Sequence, residues 1–254
     1  MLGAVMAHIS VNAFNEYFDF KSGLDLQTRR TPFSGGSGTL VNDPEASVGA
    51  LGIAIVSLVA TALIGLYFLS QQQDALWLFA LIGIGGLVLV FCYTNVITRM
   101  PLLCLLSAGF GFGPLMVSGS FLALTGTINT AALWISVVVF GVVNNLLLVA
   151  QIPDMAADSY AGRHTWPMKH SPATVVATYL SLAGVSAAGL IAGIVNGDLP
   201  FYCGLALPVL SLSFVVAAGV GRYADDTAKM IPFMALNVAV AILTPAALAA
   251  GFYW

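Results

Sequence analysis

Eight apolar stretches, each about as long as an α-helix that crosses a bilayer, take up most of this 254-residue chain. They fall at roughly 1–18, 47–70, 75–94, 101–123, 131–151, 172–195, 200–221 and 230–253. Only 7% of the residues are charged, where soluble domains carry about 25%. Such a chain has no water-facing shell, so lipid must be most of its solvent. An unpaired strand edge cannot sit in lipid, and nothing here alternates like a barrel strand. The expectation is an all-α, polytopic transmembrane helix bundle of eight spans, forming one domain over 1–254. Most of the 26 glycines are dispersed along the spans, as close helix–helix packing requires.

The polar residues offer a check on the count of spans. Three connections are very short: Gln71 to Asp74, Thr125 to Thr130, and Asn196 to Asp198. Four others alternate with them, at 19–46, 95–100, 152–171 and 222–229, and these hold all eight basic residues: Lys21, Arg29, Arg30, Arg99, Arg163, Lys169, Arg222 and Lys229. One helix more or fewer would scatter those charges over both faces. The positive-inside rule makes the charged face cytoplasmic, in a multi-pass protein of a prokaryotic cell membrane. The apolar start has neither a charged leader nor a small-residue cleavage site, so it reads as part of the bundle. A net charge of −3 and no basic run with interleaved aromatics exclude nucleic acid as a partner. Cys92, Cys104 and Cys203 lie in apolar stretches without ligand spacing and read as small buried hydrophobes.

Two clusters break the apolar pattern. The first runs Asn12-Ala-Phe-Asn15-Glu16-Tyr-Phe-Asp19-Phe-Lys21-Ser-Gly23-Leu-Asp25, and the second runs Gln151-Ile-Pro-Asp154-Met-Ala-Ala-Asp158-Ser-Tyr-Ala-Gly162-Arg163-His-Thr165. Asn12, Asn15 and Asp19 recur at i, i+3, i+7, and so do Gln151, Asp154 and Asp158; each trio shares one helical stripe. One Asp-x-x-x-Asp at a helix end is ordinary loop chemistry. Two on one membrane face, each led by an amide, are not. Carboxylates near a bilayer are costly and face polar cavities; facing one another they repel, and a divalent cation relieves that repulsion. Oxygen ligands without His or Cys favour Mg²⁺, which completes its shell with water and substrate phosphates. Lys and Arg alongside suit a phosphate group. The parts describe a diphosphate clamp. Asp43, Glu45, Asp225 and Asp226 read as solvated loop charges.

These clusters resemble the two aspartate-rich motifs of the UbiA superfamily of intramembrane prenyltransferases. The stretch from Asn15 to Asp25 looks most like the menaquinone branch, and Asp154-x-x-x-Asp158 followed by Gly162-Arg163-x-Thr165 is similar to the second motif. Tyr93-Thr94 and Gly113-Pro114-Leu115 are similar to middle segments of that branch. The resemblance implies a helical bundle around a central cavity. It also implies Mg²⁺, a polyprenyl diphosphate and an aromatic, quinone-precursor-like acceptor; a non-quinone lipid acceptor is the alternative within the superfamily. The family's first motif ends the second of nine helices, whereas here it ends the first of eight, so the chain looks one N-terminal helix short.

On that reading Asn15, Asp19, Asp154 and Asp158 hold the metal, and Asp19, Asp25, Asp154 and Asp158 carry the chemistry. Asn12, Lys21, Tyr93, Arg99, Gln151, Arg163 and Lys169 contact substrate, the basic ones on the diphosphate. Tyr17, Tyr93 and Tyr160 are candidates to face the allylic cation. His8 reads as a helix-packing residue, His164 and His170 as loop residues, and Trp166 and Trp254 as interface anchors. Two rivals stand beside this: a secondary transporter, whose carboxylates would sit near the midplane, and a non-catalytic membrane paralogue.

Overall fold

The computed structural model describes residues 1–72 and 74–253. Eight long helices follow the eight apolar stretches: α1 (Leu2–Lys21), α2 (Ser47–Gln71), α3 (Leu76–Cys92), α4 (Pro101–Thr125), α5 (Thr130–Tyr160), α6 (Pro172–Val195), α7 (Phe201–Tyr223) and α8 (Thr227–Gly251). Among the described residues there is no β-strand; an isolated bridge joins Thr31 and Ser34. Among the described residues six helices, not eight, are long and apolar enough to cross a membrane: α2 and α4 to α8. The other two depart from the expectation for separate reasons. α3 has 17 residues, and α1 carries Asn12, Asn15, Glu16, Asp19 and Lys21 along its second half. Gln73 of the first short connection and the expected anchor Trp254 lie outside the described residues.

Local chemistry sets the ends. Asn129 caps α5 by accepting from the Ala132 N–H at 2.8 Å. Ser171 caps α6 through the Thr174 N–H, with Pro172 at the first position, and Asp226 caps α8 through the Lys229 N–H. Gly126, at φ 73°, terminates α4 in the left-handed conformation. One expectation fails here. The connection expected over 152–171 is shorter, because α5 continues to Tyr160 with Pro153 inside it, which puts the Gln151, Asp154 and Asp158 stripe on a helix as its spacing predicts. A further turn, Trp166–Lys169, follows. Apolarity marks where lipid ends, not where the helix ends.

Packing is uneven. Both apolar clusters of buried residues belong to α4–α8 and the segments joining them. One gathers Leu105, Val149, Tyr179, Val216 and Met230; the other gathers Val138, Leu190, Cys203, Leu210 and Leu248. Close approach there depends on missing side chains. A Cβ on Gly141 would stand 2.1 Å from Ser186 Oγ, and one on Gly113 would stand 2.4 Å from the Ser136 carbonyl. Buried polar groups tie the same helices: Tyr179 Oη donates to Asn237 Oδ1 at 2.8 Å, Asn237 Nδ2 to the Asn145 carbonyl at 3.0 Å, and Asn145 Nδ2 to the Tyr179 carbonyl at 3.0 Å. The Gly109 N–H donates to Asn144 Oδ1 at 2.6 Å. Such bonds join helices that lipid would not push together. By contrast only 11% of the apolar window of α2 is buried, against 56% for α5. α1 and α2 are joined by Ser10 Oγ donating to the Ala54 carbonyl at 2.8 Å.

Candidate functional site

The C-terminal ends of α1, α3 and α5 meet at one end of the bundle. Thr94 Oγ1, just past α3, donates to Asn15 Oδ1 at 3.3 Å, and Asn15 Nδ2 donates to Asp19 Oδ2 at 2.9 Å. Past α1, Gly23 adopts φ 75° and starts the turn Leu24–Gln27, which buries Asp25. Past α5, Gly162 at φ 72° turns the chain back, and the Arg163 N–H closes onto the Asp158 carbonyl at 2.9 Å. Both turns need the left-handed conformation that glycine adopts freely. The next residue is fixed too: the His164 N–H donates to the Thr98 carbonyl at 3.0 Å.

This turn delivers Arg163 between the two motifs. Its guanidinium donates to Asp19 Oδ1 and, at 3.3 Å, to Asp158 Oδ1. Burial alone would lower the Arg163 pKa; Asp19 and Asp158 outweigh it and hold it above its usual value. Asp25 is pushed up, first by burial and then by the neighbouring Glu16 charge. The mouth thus gathers Glu16, Asp19, Asp25, Asp154 and Asp158, with Arg163 and Arg30 as the opposing cations.

The loop between α1 and α2 folds over these groups. Ser34 and Gly35 lie against Asp154. A Cβ on Gly36 would stand 3.4 Å from Asp25 Oδ1, and Ser37 Oγ donates to Glu16 Oε1. The sequence reading missed Ser34, Gly35 and Gly36, although the run Ser34-Gly-Gly-Ser-Gly38 was there to be noticed as a backbone-exposing loop. Cys104 is buried, as its apolar surroundings predict; it also lies at the cavity wall, where its Sγ accepts from Gln151 Nε2 at 3.2 Å. All three cysteines are free.

Below the mouth lies a cavity of about 840 Å³, in the size range of ligand pockets. Asn12, Asn15, Asp19, Tyr93, Gln151, Asp154, Asp158 and Arg163 all line it, so eight of the expected site residues come together. Asp25 is buried beside them without lining the cavity. The walls beyond are apolar and come from α1, α3, α4 and the second half of α2, ending near Met1, Phe79 and Leu124. A π-helical stretch, Gly111–Val117, with Pro114 inside it, contributes Phe112, Leu115 and Met116 to the wall. His8 lines the cavity and meets the edge of Phe112 at 5.6 Å.

Other expected residues are placed elsewhere. Lys21 is exposed, over the Tyr17 ring at 5.7 Å. Lys169 is exposed at the end of its turn. Arg99 is exposed on a small recess that it shares with Ser22, Thr94 and Arg163. Tyr160 is 67% exposed, and neither it nor Tyr17 lines the cavity. Trp166 is not a free anchor: it packs against the core, donates to Thr178 Oγ1 at 3.1 Å and stacks on His170. Asp226, expected to be solvated, is half-buried and pairs with Lys229 at 2.9 Å.

Among the described residues no three His, Cys, Asp or Glu side chains stand close enough together to hold a metal ion. Arg163 occupies the space between Asp19 and Asp158. The donor set nevertheless fits a hard cation. Asp154 Oδ1 and Gln151 Oε1 are buried acceptors without a hydrogen-bond partner, on residues that line the cavity. Buried acceptors are seldom left unpaired. A cation or its bound water would satisfy both with oxygen ligands, the preference of Mg²⁺.

Fold and site together define a membrane-embedded helical protein with an acidic mouth on a long apolar cavity. The chain matches the UbiA prenyltransferase family over residues 1–252 and belongs to that family. It is similar to the 1,4-dihydroxy-2-naphthoate octaprenyltransferase of Bacillus subtilis (strain 168), 30% identical over 197 residues that cover 75% of this chain and 61% of that protein. The chain therefore spans about three fifths of the length of this curated relative. No solved structure matches the chain.

Proposed function

We propose that this chain transfers a polyprenyl group from a polyprenyl diphosphate to an electron-rich aromatic acceptor inside the membrane. The observation that carries the reading is the two-part cavity: carboxylates, amides and one arginine at its mouth, and apolar walls below. A diphosphate and a prenyl tail have the same two-part chemistry. The relative's name points to 1,4-dihydroxy-2-naphthoate, and so to the menaquinone branch, as the acceptor class. All eight helices then take part in the membrane bundle, α1 and α3 included, with the motif-bearing end in the cytoplasm of a prokaryotic cell.

Asn15, Asp19, Asp154 and Asp158 would hold Mg²⁺ directly or through water, with the unpartnered Gln151 Oε1 at the same cavity. When bound, the ion offsets charge that builds on the departing diphosphate. Arg163 is the fixed cation at the mouth and meets the diphosphate oxygens, while Arg99 reaches it from the neighbouring recess. Asn12 and Tyr93 flank the start of the tail, and the Tyr93 ring is placed to face positive charge on the allylic carbon. The Ser34–Gly38 loop keeps bulk water from that carbon, since water would quench the cation. Asp25, buried beside the mouth without lining the cavity, is the carboxylate that takes up the proton of the acceptor ring through water at the mouth. Lys21 and Lys169 stay outside this assignment, because both point to solvent. Carboxylates at helix ends, rather than at the midplane, speak against a transporter.

The test is transfer of labelled prenyl diphosphate by the purified chain in lipid. Asp154→Ala should lower Mg²⁺-dependent transfer at least about 100-fold, the loss that follows removal of a group stabilising transition-state charge. Unchanged turnover would sink the assignment.

A further inference from the structure

Glycines do opposite work in the two walls of the cavity. Among the α3 residues that line the cavity, Phe79, Gly83, Gly86 and Val90 share one helical stripe that runs on to Tyr93 just past the helix end, flanked by Ala80, Ile82, Ile84, Leu87 and Leu89. A Cβ placed on Gly83 or Gly86 would meet nothing within 4 Å. These two glycines therefore do not serve helix contact; what they leave open is the cavity itself. Their neighbour Gly85 marks the contrast, since its Cβ would meet Leu115 of α4 at 3.6 Å. Independently, Gln151 is 6% exposed and its Oε1 lacks a partner at the mouth of the same cavity. A ligand is thus expected at the mouth, with its remainder passing the two glycines.

Distances along α3 convert the stripe into a scale. Thr94 touches Asn15 of the first motif, so Tyr93 stands at the level of the acidic mouth. At 1.5 Å per residue, Gly86 lies about 10 Å below Tyr93, Gly83 about 15 Å and Phe79 about 21 Å. An extended polypeptide covers about 3.5 Å in three backbone bonds, so a four-bond isoprene unit covers about 4.5 Å by the same geometry. The level of Gly86 then corresponds to about two units, Gly83 to about three, and Phe79 to between four and five.

We propose that Gly83 and Gly86 set the prenyl length this chain accepts, holding the cavity open for tails of about four or more isoprene units. This rests on the prenyl-transfer reading above and names its donor class: long-chain polyprenyl diphosphates, held extended along α3. A phenylalanine at either position has room for its Cβ and fills the cavity below that level.

The experiment measures thermal stabilisation of the purified full chain, with Mg²⁺, by geranyl, farnesyl and geranylgeranyl diphosphates. Wild type should be stabilised progressively from two units to four. Gly86→Phe should keep its response to geranyl diphosphate, which also shows that it folds. Its affinity for the four-unit ligand should fall at least about tenfold, the scale of overpacking a close-fitted space. Gly83→Phe should respond up to three units and no further. Gly52→Phe, on the exposed side of α2 and away from the cavity, should behave as wild type. A Gly86→Phe profile identical to wild type overturns the length-setting role while leaving prenyl transfer standing. A wild type stabilised by none of the three overturns both.

Discussion

The two halves of this bundle obey different rules. α4 to α8 pack against one another with interlocked apolar clusters, buried amides and glycines pressed against neighbouring backbone. α1 to α3 contribute no residue to either cluster of buried side chains and line the apolar cavity. The difference teaches that, in lipid, a helix need not bury its apolar face in protein to stay in place. The hollow half is free to be a container, and the packed half is the rigid wall that carries the second motif on α5. Glycine shows the contrast in one residue type. Gly141 exists so that α5 and α6 can touch; Gly86 exists so that nothing touches.

Five substitutions test that contrast, in falling order of expected effect, with Gly86 as the control for Gly141. In the hollow half, Asp19→Ala should reduce prenyl transfer at least about 100-fold, with a smaller change in thermal unfolding because Asp158 still pairs with Arg163. Kinetics and unfolding measured on the same preparation decide it. In the packed half, Gly141→Leu should cost about 3 kcal/mol, by forcing α5 from Ser186 and the Leu182 carbonyl. The same change at Gly86 should be neutral or stabilising by up to about 1 kcal/mol, because glycine is the poorer helix former. Comparable losses at both positions in detergent unfolding would dissolve the distinction between halves.

A smaller effect is expected at Asn237→Leu, which leaves the Tyr179 hydroxyl and the Asn145 carbonyl without their partner. A loss of about 1–2 kcal/mol fits interhelical hydrogen bonds in membranes. The smallest effect concerns Asp25. Its pKa is raised in the folded chain, so folding favours the protonated carboxyl, and stability contributed by that group is present at low pH and lost as pH rises. Asp25→Asn should therefore raise the unfolding temperature at neutral pH, and the gain should shrink on acidification. A gain independent of pH would contradict the cause given.

Much of this was legible in the sequence. Hydropathy gave all eight helices, and the i, i+3, i+7 stripes placed Asn15, Asp19, Gln151, Asp154 and Asp158 on the cavity side. Gly23 and Gly162, marked only by spacing, proved to be the left-handed turns that present Asp25 and Arg163. What stayed hidden has physical causes. The extension of α5 to Tyr160 carries no hydropathic signal, because a helix leaving the membrane becomes polar without breaking. The pairing of Arg163 with Asp19 joins residues that only the tertiary fold brings together. Lys21 and Lys169 sit on the correct loops but face water, since a flexible charged stem follows solvent unless packing directs it. Nothing in composition separates a glycine that closes a helix contact from one that opens a cavity.

The central claim, that the acidic mouth and the apolar cavity are one prenyl-transfer site, is tested most directly in bilayers. The purified chain would be incubated with labelled geranylgeranyl diphosphate, 1,4-dihydroxy-2-naphthoate and Mg²⁺, with a parallel sample in which EDTA removes the metal. A labelled prenylated naphthoate that forms with Mg²⁺ and is absent with EDTA is the predicted result. Product that persists without metal, or no prenylated product from this or any other aromatic acceptor, would contradict it.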